Sequence, residues 1–286
     1  MMIILGLAAV FGLVFGGYLL SGGSMEVVLH ALPFEGMMVG GASLGAFIMA
    51  NSFDVVKRAF GAVLVAFKGP KWKSEDYGNL LKLLYELSRV YQLEGAIGLE
   101  KHIENADTSE IFTRYPKISA DKQMRELITD AFRMVTMDFN DPDETGEVIN
   151  RKLEAHENHV HAPVHALTMV ADGLPAIGIV AAVLGVIKTM SSVDKPPEVL
   201  GLMIGGALVG TFLGIFAAYC MVQPVVQRVE QIHERDASFG QVIRDVIVAI
   251  IRGHKPNVCV EIGRGNIPPS IRPTFDAVES HIKGSA

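Results

Sequence analysis

The densest group of chemically competent side chains lies between positions 154 and 165. Its members are Glu154, His156, Glu157, His159, His161 and His165. A zinc protease of the HExxH type needs two histidines four residues apart on a helix, with a glutamate beside the first. Counted from His156, the position of the second histidine is occupied by Val160. His161 and His165 do have this spacing, but Pro163 is expected to disrupt a regular helix between them. The pattern favours a histidine-rich helix end over a metal site, and it predicts neither metal nor cofactor.

Two long apolar runs organise the second half of the chain. They extend from 167 to 187 and from 199 to 222, and each is long enough to cross a bilayer, which takes about 20 helical residues. Small residues recur in both runs, and such residues let membrane helices approach closely. Pro175 lies early in the first run and Pro224 just after the second. Each proline removes a backbone donor, so two points of local weakness are predicted.

The N-terminal 53 residues predict two further spans, at 1–20 and 36–49. A signal peptide is the alternative for the first run, but no basic segment precedes it. The connecting segment lacks Lys and Arg, whereas basic residues crowd the region after position 56. The positive-inside rule therefore places the connecting loop in the periplasm and both termini in the cytoplasm.

The composition favours a membrane protein over a soluble enzyme. Half of the 286 residues are apolar, the mean hydropathy is positive and the net charge is −6. We find no phosphate loop, nucleophile elbow, CxxC pair or nucleic-acid-binding patch. The sequence therefore predicts a protein that is not an enzyme and does not bind nucleic acid.

The polar regions between and after the spans are periodic and helical. Residues 54–68 repeat apolar side chains at helical spacing, which predicts a helix in the membrane interface; a simple extension of the second span is the alternative. Leu80, Leu84 and Leu87 share one helical face further on. The predicted fold is an all-α polytopic membrane protein with four transmembrane helices and a helical cytoplasmic domain. Its predicted parts are spans one and two (1–53), the cytoplasmic helical domain (54–166), spans three and four (167–224) and a cytoplasmic helix and tail (225–286).

Ion conduction is the chemistry that the spans suggest. Ionisable side chains are costly in the membrane and are kept there for function. Glu35 and Glu198 are predicted at the outer ends of their spans, and Asp172 near the cytoplasmic end of the third. The deep polar side chains are hydroxyls: Ser43, Thr211 and Tyr219. If protons cross, a second protein must therefore supply the carboxylate.

Several segments resemble a known family. They are DGLPAIGIVAAVLGV (172–186), LVGTFLGIFAAY (208–219) with Pro224, LEKHIEN (99–105) and VEIGR (260–264) with Arg272 and Pro273. Together they resemble the MotA branch of the MotA/TolQ/ExbB proton channel family, over nearly the whole chain. The resemblance implies a flagellar motor stator subunit in the bacterial inner membrane, surrounded by lipid.

The resemblance also implies partners. A MotB-type single-span protein would bring a membrane aspartate, and five copies of the chain would surround a dimer of that partner. Pro175 and Pro224 match the prolines that couple protonation to movement, and Thr211 matches the hydroxyl facing the ion path. Ala182 stands where sodium-driven relatives carry threonine, so the translocated ion is expected to be H⁺. We include Asp172 and Tyr219 in the predicted path.

A rotor-facing surface follows from the same resemblance. Glu100 matches the acid that engages the rotor protein FliG. The arginine position of the family holds Gln92 here, while Arg89 lies one turn earlier and is expected to present its charge on the same face.

Three alternatives remain open on the sequence. The first is an ExbB- or TolQ-type energiser of outer-membrane processes. The second is a membrane metalloprotein that uses the cluster from His156 to His165. The third is a passive scaffold without ion flux, which predicts that Thr211 and the prolines tolerate replacement. Four spans and the segment around Glu100 weigh against the energiser.

Overall fold

The computed structural model describes residues 2–137 and 141–283. Within them the chain is α-helical with one π-helical turn and no strand, which confirms the predicted fold class. Four helices are long and apolar enough to cross a membrane: Met2–Leu20, Met25–Ala50, Pro142–Met190 and Pro197–Ile251.

The chain divides into two compact units. The first comprises Met1–Gly69 and Val160–Ile232, and the second comprises Pro70–His159 and His233–Ala286. The helices are α1 (Met2–Leu20), α2 (Met25–Ala50), α3 (Phe53–Lys68), α4 (Ser74–Ile103), α5 (Glu110–Thr113), α6 (Pro116–Ala120), α7 (Lys122–Thr136), α8 (Pro142–Met190), α9 (Pro197–Phe216), α10 (Gln223–Ile251), α11 (Pro256–Gly265) and α12 (Phe275–Lys283). Helices α8 and α10 each contribute residues to both units.

Helix α2 begins eleven residues before the apolar run that predicted it. Ser24 caps its N-terminus, and the Ser24 hydroxyl accepts a hydrogen bond from the backbone N–H of Glu26 at 3.3 Å. Pro33 lies inside the helix without ending it. Glu35 is therefore an interior residue of α2, and the expectation that it lies at the end of its span is wrong.

Helix α3 is separate from α2. Asn51, in an extended conformation, ends α2, and the Ser52 hydroxyl caps α3 by accepting from the backbone N–H of Val55. This break excludes the alternative in which 54–68 simply extend the second span. Within the first unit α3 buries the alanine face of Ala59, Ala62 and Ala66 and leaves large apolar side chains exposed.

Helix α8 continues through Pro163, so the expectation that this proline disrupts the helix is wrong. A proline removes one i→i−4 hydrogen bond, and the intact turns on both sides of Pro163 keep the helix continuous. The prediction that a helix runs from the polar region into the third span is confirmed.

The fourth span ends in an unusual turn. Between α9 and α10 the chain forms a π-helical turn, Ala217–Val222, and the backbone N–H of Gln223 donates to the carbonyl of Ala218, five residues earlier. Pro224 follows immediately and has no N–H to donate. A widened turn beside a proline is a recognised cause of helix kinks, and it often occurs at functional sites.

The second unit has a large apolar core. Leu80, Leu84 and Leu87 are fully buried in it, as their spacing predicts. The indole of Trp72 stacks on the ring of Phe239, with centroids 4.0 Å apart and planes at 8°. The backbone N–H groups of Lys71 and Trp72 donate to the carboxylate of Asp236. The start of α4 is thereby tied to α10.

Helix α11 carries the VEIGR segment into this core. Val260 and Gly263 are buried, and Arg264 donates both to the carboxylate of Glu261 and, at 3.1 Å, to the carbonyl of Pro273. This part of the family resemblance therefore builds the core of the second unit.

Cys259 should be unreactive in the folded protein. Its side chain is fully buried, and burial raises the pKa of the thiol to about 11, so little of the reactive thiolate is present at neutral pH. We expect a maleimide reagent at pH 7 to modify Cys259 only after denaturation, as followed by peptide mass spectrometry. Rapid labelling of Cys259 in the folded protein would contradict this burial.

Candidate functional site

The candidate site begins where α8 crosses α9 inside the first unit. A Cβ atom added to Gly178 would lie 2.8 Å from the carbonyl oxygen of Gly210 and 3.0 Å from Cα of Gly214. A Cβ atom added to Gly214 would lie 2.5 Å from the carbonyl oxygen of Leu174. The two backbones therefore touch directly, as small residues allow in membrane helices. Pro175 directly follows Leu174, so this predicted proline lies at the crossing.

The regions of the two predicted prolines share one apolar cluster. Leu174 and Ala181 of α8 are buried in it together with Val39 of α2 and Ala218 of the π-helical turn. Pro224 follows this turn. The two proline-containing segments are therefore in packing contact, so a movement of one segment alters the packing of the other.

Thr211 lies half-buried on α9, beside Gly210. Its hydroxyl makes no hydrogen bond within residues 2–137 and 141–283, whereas the hydroxyl of Ser43 donates to the carbonyl of Val39 in its own helix at 2.7 Å. Thr211 therefore keeps its hydroxyl free of the i−4 bond that helical threonines commonly make. Ala182 is half-buried on α8.

Two other residues of the predicted path face outward. Asp172 is exposed on α8, and Tyr219 is exposed in the π-helical turn. Neither side chain has a hydrogen bond or ion pair with another residue in the part of the chain that the structure describes. The structure thus groups Pro175, Thr211 and the glycines near the crossing and leaves these two side chains at the surface of the unit.

The candidate site also contains a carboxylate that the sequence reasoning misplaced. Glu35 lies ten residues, or about 15 Å, into α2, and only 6% of it is exposed. Its carboxylate lies against Gly210, where an added Cβ would be 3.2 Å from Glu35 Cδ. Glu35 on α2 thus lies at the same height along the helix pair as Gly210 on α9, the residue that precedes Thr211. The Ser24 N-cap signal was the clue that the helix starts early enough to place Glu35 inside it.

The residues predicted to face the rotor lie on α4. Gly95 divides this helix, with φ of 69° and ψ of −162°, a conformation that favours glycine. Arg89 and Gln92 lie before the division and Glu100 after it, so the three do not share one continuous helical face. Gln92 and Glu100 are exposed and Arg89 is half-buried, and no side chain of the three forms an ion pair or hydrogen bond within the described ranges. All three are available to a partner.

An ion-pair network that the sequence reasoning missed lies nearby in the second unit. Arg133 donates two hydrogen bonds to the carboxylate of Glu104, at 2.8 and 3.1 Å, and a third to Asp130 at 2.8 Å. The hydrogen bonds from Arg133 lower the pKa of Glu104. Lys152 donates to Asp130 at 2.7 Å and so joins α8 to this network.

The histidine cluster is spread along one helix. Glu154, His159 and His165 are exposed on α8, and His156, Glu157 and His161 are half-buried. Among the residues described, no group of three or more His, Cys, Asp or Glu side chains is arranged to hold a metal ion.

Four helices that are long and apolar enough to cross a membrane, two of them in close contact through glycines, together with a second helical unit define a polytopic membrane protein. Comparisons with known proteins agree. Residues 119–238 match the model of the MotA/TolQ/ExbB proton channel family, and residues 4–95 match the motility protein A N-terminal model. The chain is 37% identical over 283 residues to motility protein A of Salmonella typhimurium, covering 99% of this chain and 95% of the relative. It belongs to the motility protein A family.

Further relatives give the same result. Motility protein A of Escherichia coli is 36% identical, covering 99% of this chain and 95% of the relative, and chemotaxis protein LafT of Vibrio parahaemolyticus is 33% identical, covering 96% of each chain. The solved structure of MotAB from C. jejuni matches with a TM-score of 0.75 and 20% identity, covering 96% of this chain and 98% of that one. The flagellar MotAB stator complex from Bacillus subtilis matches with a TM-score of 0.66 and 21% identity, covering 90% and 92%. These solved structures share the fold of this chain.

Proposed function

We propose that the chain is a stator subunit of a proton-driven flagellar motor, which converts ion flow into torque on the rotor. The observation that carries the proposal is the 37% identity to a motility protein A over 99% of the chain. The match of residues 4–95 to the motility protein A N-terminal model favours this function over an ExbB- or TolQ-type energiser. The family is one of ion channels, and the metalloprotein alternative gains no support from it.

The proposed topology is that of the inner membrane of a bacterium. Residues 1–53 and 167–224 hold the spans, residues 54–166 and 225–286 lie in the cytoplasm, and both termini are cytoplasmic. The absence of Lys and Arg from the first loop supports this orientation. The exposed apolar side chains of α1 and α2 suit contact with lipid or with neighbouring subunits.

The proposed assembly contains a MotB-type single-span partner with an aspartate at membrane depth. Five copies of the chain surround a dimer of this partner. The names of the solved neighbours, both MotAB complexes, support such a partnership. The free hydroxyl of Thr211 faces the ion path, and Ala182 in place of a second threonine favours H⁺ over sodium. No resident cofactor takes part.

The proposed coupling route starts at the crossing of α8 and α9. Protonation of the partner's aspartate alters packing around Pro175, and the shared cluster of Leu174 and Ala218 passes the change to the turn before Pro224. The resulting movement shifts Glu100 against the rotor protein FliG, with Arg89 and Gln92 nearby. One elementary charge that crosses 100 mV supplies about 2.3 kcal/mol, enough to rearrange a modest polar contact.

Two substitutions test this proposal. Pro175→Ala restores a backbone donor at the crossing and should stiffen α8, while Glu100→Lys reverses the charge offered to the rotor. Each is expected to abolish most swimming on soft agar while leaving the protein in the membrane at normal amounts, as measured by immunoblot.

Matched controls make the test specific. Pro197→Ala changes an exposed proline at the start of α9, and Glu110→Lys reverses an exposed charge in the first turn of α5. Both controls should swim normally. Normal swimming of the double variant with Pro175→Ala and Glu100→Lys would refute the coupling route.

A further inference from the structure

A cavity of about 670 Å³ lies between α2, α8 and α9 within the first unit. It sits at the helix ends that adjoin the connecting residues 21–24 and 191–196. Its polar lining consists of Glu26, His30, Glu35, Lys188 and Thr189. A water molecule occupies about 30 Å³ of liquid, so the cavity has room for on the order of ten to twenty waters.

Glu35 is the deepest ionisable side chain of this lining. Only 6% of its surface is exposed to solvent. Its Oε2 atom is buried and has no hydrogen-bond partner among the residues described. Glu26 and His30, also on α2, are both exposed. A buried carboxylate oxygen without a partner is costly unless it is protonated or hydrated. Glu35 therefore needs a proton, or water from the cavity.

The packing around Glu35 places its carboxyl group close to the predicted ion path. The carboxylate lies against Gly210 of α9, where any side chain would collide with it. Thr211 is the next residue of α9. Ala181 also borders the position of a Cβ on Gly210, at 3.2 Å, so α2, α8 and α9 meet here. The cavity therefore extends from the helix ends to Glu35, whose carboxylate lies against the residue that precedes Thr211.

The charged groups around the cavity come from two of its three helices. Helix α2 supplies Glu26 and His30 besides Glu35, and α8 supplies Lys188. The residues of α9 that line it are all uncharged. Among the described residues Lys188 forms no ion pair or hydrogen bond with Glu35, although its positive charge acts on the Glu35 carboxylate at longer range. No direct contact with a cation therefore holds Glu35 in its ionised form.

We propose that Glu35 is a proton-relay site at the inner end of an outer, water-filled vestibule. This inference rests on the proposed function and deepens it. A hydrated proton that enters the vestibule from the periplasm is transferred to the Glu35 carboxylate and leaves one water behind. The carboxylic acid then passes its proton, through water near Thr211, to a carboxylate of the partner, and Glu35 returns to its ionised form. The chain thereby contributes its own acid to the path.

The test compares Glu35→Gln with the matched variant Glu198→Gln in cells that produce the chain with its partner. Glu198 is an exposed carboxylate in the first turn of α9 and does not line the cavity. Glutamine keeps the size of the side chain and cannot carry the proton. Proton entry is followed with an intracellular pH-sensitive dye, and assembly by co-purification of the partner. We expect Glu35→Gln to assemble and to lose most of the proton flux, Glu35→Asp to retain flux, and Glu198→Gln to behave as the original protein.

The outcomes separate the two proposals. If the unaltered chain and its partner carry no protons, the proposed function fails. If the unaltered complex conducts and Glu35→Gln conducts equally, the relay alone is refuted. If Glu35→Gln fails to assemble, infrared difference spectra of the unaltered reconstituted complex decide the question. Spectra recorded as the external pH changes should contain a carboxylic acid band that is shifted by Glu35→Asp, and a band unaffected by Glu35→Asp would overturn the proposal.

Discussion

Gly214→Ala is expected to abolish swimming, the largest single effect that the structure predicts in the spans. The new methyl group would lie 2.5 Å from the carbonyl oxygen of Leu174 and 2.9 Å from Cα of Gly178. Both obstacles are backbone atoms, so no side-chain rotation can relieve the clash. Helices α8 and α9 must separate, at a cost of about 1–3 kcal/mol or more. The cluster next to Pro175 would lose its packing at the same time.

Gly201→Ala is the matched control for this change. Gly201 lies on the same helix, and an added Cβ there meets nothing within 4 Å. Its alanine variant should swim at the original rate. Both variants are compared on soft agar, with membrane abundance measured by immunoblot. Equal swimming of the two variants would show that close contact at the crossing is not needed.

Phe239→Ala is expected to destabilise the second unit by about 3–5 kcal/mol, the usual cost of emptying a large buried aromatic site. Phe239 is fully buried, its ring stacks on Trp72, and it meets the ring of Tyr77 edge-on at 5.1 Å. Both contacts would be lost together. The chain's single tryptophan, Trp72, reports the change directly, because its fluorescence should shift to the red as water reaches the indole.

The measurement is unfolding by denaturant of the detergent-purified protein, monitored by Trp72 fluorescence. Phe275→Ala serves as the control, since Phe275 is 52% exposed in α12 and little burial is lost when it is shortened. Its unfolding midpoint should move only slightly. A midpoint for Phe239→Ala equal to that of Phe275→Ala would contradict the role of the aromatic stack.

Much of the fold follows from the sequence by simple periodicity. Apolar runs of span length predict four membrane helices because few other structures satisfy the backbone inside lipid. The buried face of Leu80, Leu84 and Leu87 follows from helical spacing. Pro163 shows where such reasoning fails, because a local rule about proline takes no account of the intact hydrogen bonds on both sides within a helix as long as α8.

The candidate site was less predictable than the fold. The small residues of α8 and α9 indicated close packing, but sequence alone does not reveal which glycines meet, so the contact of Gly178 with Gly214 required coordinates. Glu35 was misplaced because the apolar run begins one residue after it, whereas the helix begins at Ser24's cap. Contacts between distant residues, such as Arg133 with Glu104, likewise carry no local signal.

The π-helical turn before Pro224 rotates the side chains that follow it about the helix axis, relative to their positions in a continuous α-helix. Each helical residue advances the chain by about 100° and 1.5 Å, and a π turn holds about one residue more than an α turn. Conversion of Ala217–Val222 to α geometry would therefore turn the side chains that follow it by about one residue's angle around the helix axis, although only a few hydrogen bonds change partners. At the end of the fourth span, an exchange of only a few backbone hydrogen bonds would therefore rotate the following helix about its axis.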